Sequence, residues 1–213
     1  MISTKELQLL PDSAKLKQTC KAMAVLDAIL CQDWVYRYYS YNSEWSETEE
    51  FFEMRNGQGE QLLILFRAEG TVINGFSADA EPGIKAQLTD QLPEVFHEFI
   101  FGEPVHSAGT TFCVWKPGDQ DWTTALPAAA QEISEELLSP LDGSPLTYLN
   151  WATAYFKGSY PENGIPLEVV TQIYNQEPLT RTMVELLTAG GLQDWEQLEE
   201  DLIEISYPYH INP

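Results

Sequence analysis

Three short runs between residues 49 and 77, "EEFFEMR", "QLLILF" and "TVINGF", lie only a few residues apart. This spacing constrains the fold more than anything else in the chain. In the first run, Phe52 and Met54 face one way with Glu53 and Arg55 flanking them, the period-two pattern of a strand. Asn56-Gly57 is a hairpin signal, and Ala68-Glu69-Gly70 turns the chain again. The middle run is apolar at consecutive positions, as a central strand covered on both faces must be. The third places Val72, Asn74 and Phe76 on one face. Strands joined by connections this short pair antiparallel, because parallel pairing needs a long crossover.

Two further runs extend this meander. "WVYRYYSYN" belongs to a stretch, residues 31–45, that holds six aromatic rings, and it predicts a strand before the meander. Period two puts Trp34, Tyr36 and Tyr38 on the core face, with Val35, Arg37, Tyr39 and Tyr41 on a half-exposed outer face. "TTFCVWK" predicts a fifth strand with Phe112 and Val114 on one side.

The remaining elements read as helices. "PDSAKLKQTCKAMAVLDAILCQ" carries Leu16, Cys20, Met23, Leu26 and Leu30 at spacings of three and four, with Asp12 or Ser13 as N-cap. "LTDQLPEVFHEFI" predicts a helix capped by Thr89 or Asp90 with Pro93 in its first turn. From about residue 125 the helical segments are "AAAQEISEELL", "TYLNWATAYF", "LEVVTQIYN", "LTRTMVELLTAGG" and "DWEQLEEDLIEI". Gly190-Gly191 supplies a stop, and "SYPYHINP" an extended tail. In the last helix Trp195, Leu198, Leu202 and Ile203 form the expected buried stripe. Asp194, Glu196, Glu199, Glu200, Asp201 and Glu204 lie largely outside it.

The expectation is therefore an α+β fold: an antiparallel meander of four to five strands, covered by an N-terminal helix, with a helical C-terminal half. It fits a single domain over residues 1–213. The alternative is a division into 1–124 and 125–213, with the cut falling in 118–128.

The net charge is −22 over 213 residues. Residues 1–85 hold 8 Lys+Arg against 13 Asp+Glu, and residues 86–213 hold 3 against 20. Such a surface repels phosphate backbones, so no nucleic-acid partner is expected, and it attracts basic proteins. No apolar run is long enough to span a membrane and no signal peptide is evident, so a cytoplasmic protein without a membrane partner is expected. Three cysteines, Cys20, Cys31 and Cys113, are no disulfide framework and read as small apolar side chains.

Phosphate-binding glycine loops, H-E-x-x-H, C-x-x-C and G-x-S-x-G are all missing from the sequence. His97, His106 and His210 match no ligand pattern, and no catalytic residue, metal ligand or cofactor is assigned.

The segment from Trp34 to Phe76, with "WVYRYYSYNSEW", "MRNGQG" and "INGF", resembles a group of bacterial proteins known only as hypothetical proteins. The resemblance covers about 45 residues and implies a meander but no activity. Such relatives often continue after Gly-Phe with His-Glu-Ser, where this chain has Ser77, Ala78 and Asp79. In size and acidity the chain also looks like the immunity proteins of bacterial toxin systems.

These observations lead to a non-catalytic acidic binding protein, an immunity-type inhibitor of a basic toxin or nuclease. The expected interaction surface is Arg37, Tyr39, Tyr41, Asn42 and Trp45 together with Glu196, Glu199 and Glu200. One alternative is a structural or regulatory homo-oligomer held by exposed aromatics. The other is a small-molecule-binding or enzymatic domain whose aromatic sheet face lines a pocket with Arg37, Arg55 or His106.

Overall fold

The computed structural model describes residues 1–80, 84–127, 130–189, 191–192 and 194–211. The fold is α+β, and the chain divides into two compact units, each built from two segments. The first unit comprises residues 1–16 and 44–142, the second residues 17–43 and 143–213. The chain therefore changes unit at 16/17, 43/44 and 142/143 and not within 118–128.

In the first unit four strands, Glu49–Arg55, Glu60–Arg67, Gly70–Ser77 and Phe112–Pro117, pair antiparallel in that order. The hairpin at Asn56 is set by its side chain, whose Oδ1 accepts the backbone N–H groups of Gln58 (2.8 Å) and Glu60 (3.1 Å). Gly57 and Gly59 supply the positive φ of that loop, +72° and +115°. Register aligns Phe51, Leu65, Val72 and Trp115 in one row, and Phe52, Ile64, Ile73 and Val114 in a row on the opposite face.

The first face packs against Leu92, Phe96, Phe99, Ile100 and Val105, side chains of the segment that links the third and fourth strands. The second face is equally buried, so the central strand is enclosed at every position from Leu62 to Phe66. Both faces of the sheet are thus packed along these rows. The covering segment differs from the expected single helix. Gln91 adopts φ +62°, and Pro93 precedes a short turn, Glu94–Phe96, that leads into the helix His97–Phe101. Thr89 donates its hydroxyl to the Lys85 carbonyl at 2.8 Å and Asp90 precedes the reversal, so neither caps this helix.

The second unit is mostly helical. The helix Ser13–Leu30 starts in the first unit, where Asp12 Oδ1 caps it by accepting the Lys15 N–H (2.8 Å). Its predicted stripe is buried, and burial extends to every residue from Ala22 to Leu30, including Asp27. Helices Pro145–Tyr155, Leu167–Tyr174, Arg181–Leu187 and Trp195–Ile205 follow. Thr180 and Asp194 cap the last two through Met183 N and Gln197 N.

Residues 207–211 of the tail are docked. Tyr209–His210 pairs in parallel with Leu179–Thr180, and Tyr207 and Ile211 are buried. The Tyr207 hydroxyl lies 2.8 Å from the Glu177 carbonyl oxygen and 3.0 Å from that of Ile173. Of the expected glycine stop, Gly190 lies outside the described residues, and Gly191 has φ +88°.

Gly75 faces Phe112 across the third and fourth strands, and a Cβ built there would come within 2.1 Å of the Phe112 ring. Gly75→Ala is expected to lower unfolding free energy by about 3 kcal/mol in urea titration. The double variant Gly75→Ala/Phe112→Leu is expected to recover part of that loss.

Candidate functional site

The aromatic run at residues 31–42 folds in a way that simple alternation does not predict. Trp34–Tyr36 is a short 3-10 turn, and the strand that follows is only Tyr39–Asn42. Asp33 starts the turn: its Oδ1 accepts the Val35 N–H (3.1 Å) and its carbonyl accepts the Tyr36 N–H (3.1 Å). Trp34, Val35 and Tyr36 consequently project outward, 51%, 67% and 68% exposed.

The inward groups are the ones assigned to the outer edge from sequence. Arg37, Tyr39 and Tyr41 are buried at 6%, 3% and 3% exposure, which corrects their expected half-exposed placement. The physical reason lies in Arg37. Its Nη1 and Nη2 donate to the two carboxylate oxygens of Asp201 at 2.8 and 2.6 Å. Its Nε donates to the Cys31 carbonyl (2.8 Å), and Nη2 also donates to that of Gln32 (3.0 Å). One buried guanidinium thus closes the 31–37 loop on itself and locks it to the helix Trp195–Ile205. Gln32 adds a second lock to that helix's start. Its side chain donates to the Asp194 carbonyl (2.6 Å) and accepts the Asp194 N–H (3.1 Å).

Asp27 holds the other side of the loop. Its Oδ2 accepts the backbone N–H groups of Tyr38 (3.0 Å) and Tyr39 (2.8 Å), and its Oδ1 accepts the Tyr148 hydroxyl (2.7 Å). Burial pushes the Asp27 carboxyl up to about 7, against the lowering pull of those hydrogen bonds and of Arg37. Burial likewise raises the phenols of Tyr39 and Tyr148. Above this polar base the rings form a connected set. Tyr38 lies 4.7 Å from Trp151 and 5.2 Å from Tyr155, and Trp151 stacks on Tyr155 at 5.0 Å with planes 19° apart. Tyr155 is exposed, and Tyr38 and Trp151 are half-buried.

The helix Trp195–Ile205 presents Glu196, Glu200 and Glu204 to solvent. Glu199 is half-buried and accepts the Tyr209 hydroxyl at 3.0 Å. Two further expectations are corrected here: Asp201 is buried through its pairing with Arg37, and Ile203 is 57% exposed. Asn42 is half-buried. Trp45 belongs to the first unit, where it stacks on Phe51 at 4.4 Å and stays 42% exposed. The expected set is thus not one surface. Glu196 and Glu200 are accessible, whereas Arg37, Tyr39 and Tyr41 are buried.

Sequence reasoning missed the exposed residues themselves, Trp34, Val35 and Tyr36, and the anchor Asp27. A signal existed for each. Asp33, directly before Trp34-Val35-Tyr36, is a turn-starting residue. Asp27 interrupts an otherwise apolar stretch from Ala22 to Leu30, where a carboxylate needs donors.

Among the described residues, no group of three His, Cys, Asp or Glu side chains is placed to hold a metal ion. His106 is exposed, while Cys113 is buried and its thiol is pushed by burial up to about 12. Among the described residues no helix is long and apolar enough to cross a membrane. No family model, curated protein or solved structure matches the chain.

Two outcomes follow from this geometry. Removing one partner of the buried pair strands the other, so Arg37→Ala is expected to destabilise the protein by about 3–5 kcal/mol in chemical denaturation. The raised Asp27 carboxyl binds its proton more tightly folded than unfolded. Its contribution to stability is therefore full below about pH 4 and is lost as pH rises through about 7. Asn at this position can accept both N–H groups and donate to Tyr148 without ionising. Asp27→Asn is expected to remove that part of the decline in stability between about pH 4 and pH 7, read as the difference between the two proteins' pH profiles.

Proposed function

We propose that the chain is a non-catalytic acidic binding protein that receives a basic protein partner in the cytoplasm, in the manner of an immunity-type inhibitor of a basic toxin or nuclease. The observation that carries this reading is the Trp34-Val35-Tyr36 turn. Three consecutive large apolar side chains stand in solvent on a loop fixed from below by buried charge. Trp and Tyr are the side chains on which interface energy concentrates, and a loop that is already ordered loses little entropy on binding.

The surroundings select the sign of the partner. Asp33 and Asp194 are exposed beside the turn, and the adjoining helix presents Glu196, Glu200 and Glu204. The second unit holds 5 Lys+Arg against 12 Asp+Glu. A partner with an apolar pocket inside a basic rim complements this surface and is drawn to it by long-range attraction.

Affinity capture from the native host at low salt, with Trp34→Ala/Tyr36→Ala as the paired control, tests the reading. The expected result is a basic protein bound by the wild type and weakened by at least about tenfold in the double variant. Glu196→Gln/Glu200→Gln is expected to slow association and flatten its salt dependence. Capture that is indifferent to the turn substitutions would overturn the reading. Self-association that is lost in the double variant, measured by sedimentation equilibrium, would favour a homo-oligomer in its place.

A further inference from the structure

The first unit holds a cleft of about 520 Å³, a volume within the range of small-molecule sites. One wall is the N-terminal segment, and the other is the loop after the fourth strand. Both walls are fixed before any ligand arrives. The N-terminal segment is pinned at one end by Thr4, whose N–H donates to Ser134 Oγ (3.1 Å). At its other end the Trp122 indole donates to the Pro11 carbonyl (2.7 Å), which also ties the two walls together. The opposite loop is held by paired backbone hydrogen bonds between Thr123 and Trp115, both 2.9 Å, and by the Thr124 hydroxyl on the Cys113 carbonyl (2.7 Å).

Charge distinguishes the cleft from the rest of its unit. The unit carries 6 Lys+Arg against 21 Asp+Glu, a net of −15. Yet the cleft is lined by two lysines, Lys5 and Lys116, and two aspartates, Asp12 and Asp121. Among the described residues Lys5, Lys116 and Asp121 make no ion pair, and Lys116 donates only to the Gln120 carbonyl. Leu7 and Leu10 add apolar surface, and the half-buried Trp122 ring completes it. A single inorganic ion would use one sign of charge and leave most of the volume empty. A ligand with a carboxylate, an ammonium and a modest apolar group uses all three features.

We infer that this cleft binds a small zwitterion of dipeptide size, its carboxylate on the lysines and its ammonium on the aspartates. The lining residues of the cleft all belong to the first unit and the Trp34–Tyr36 turn to the second, so either assignment can fail without the other.

The test follows the Trp122 indole N–H resonance while glycyl-leucine, N-acetyl-glycyl-leucine or glycyl-leucinamide is added to the full chain. Saturable shifts with glycyl-leucine are expected at millimolar concentration, with each capped form weaker by about tenfold. Lys116→Met is expected to abolish the preference for the free carboxylate, and Asp121→Asn the preference for the free amine. Both positions are solvent-accessible, so the fold should tolerate these changes. No saturable shift with glycyl-leucine, or equal binding of the capped forms, would overturn the inference.

Discussion

The second unit depends on one ion pair, that of Arg37 with Asp201. Its side chains are 5% and 7% exposed and meet in a two-pronged contact at 2.6 and 2.8 Å. Desolvating two full charges costs several kcal/mol per ion, which the Coulomb attraction alone does not reliably return. Two of the three remaining guanidinium hydrogens go to the carbonyls of Cys31 and Gln32, so four of the five are paired. A pair of this kind contributes more to geometry than to net stability. It permits one phase of the chain, with Arg37 inward, and that phase turns Tyr39 and Tyr41 inward with it.

Asp27 shares this task from the opposite side. It provides acceptors for two successive backbone N–H groups where the loop becomes a strand, and it anchors Tyr148 of a different helix. Between them the two acids, Asp27 and Asp201, satisfy polar groups that would otherwise be buried without partners. The exposed triplet at residues 34–36 is the side of the loop left over once these demands are met. Its exposure is a product of the polar chemistry beneath it and is not a local preference of Trp, Val or Tyr.

This explains which parts of the fold were legible in the sequence. The meander was readable because hairpin connections and two-sided burial are local properties: Asn56-Gly57, Leu62–Phe66 and Val72 to Phe76 each carry their own signal. The helix stripe from Leu16 to Leu30 was readable for the same reason. The 31–42 segment was not, since its side-chain phase is set by Asp201, far along the chain, and alternation alone assigns both possible phases equally well. Pro93 was misplaced because the positive φ at Gln91, which no residue type there signals, breaks the segment first. The candidate surface was legible only in part. The solvent-facing glutamates followed from helical spacing, but the aromatic contribution was shifted onto the wrong residues.

The helix Ser13–Leu30 crosses the division between the two units after its first turn, and residues 44–142 intervene between the two segments of the second unit. This threading governs how the chain can be made and cut. During synthesis the Lys17–Ser43 segment leaves the ribosome long before residues 143–213, which contain Tyr148 and Asp201. Until then its Asp27 lacks the Tyr148 hydroxyl and its Arg37 lacks the Asp201 carboxylate. A contiguous fragment cannot contain one unit whole and exclude the other. Limited proteolysis at the loops would therefore release nicked assemblies, and not autonomous pieces that could be swapped between proteins.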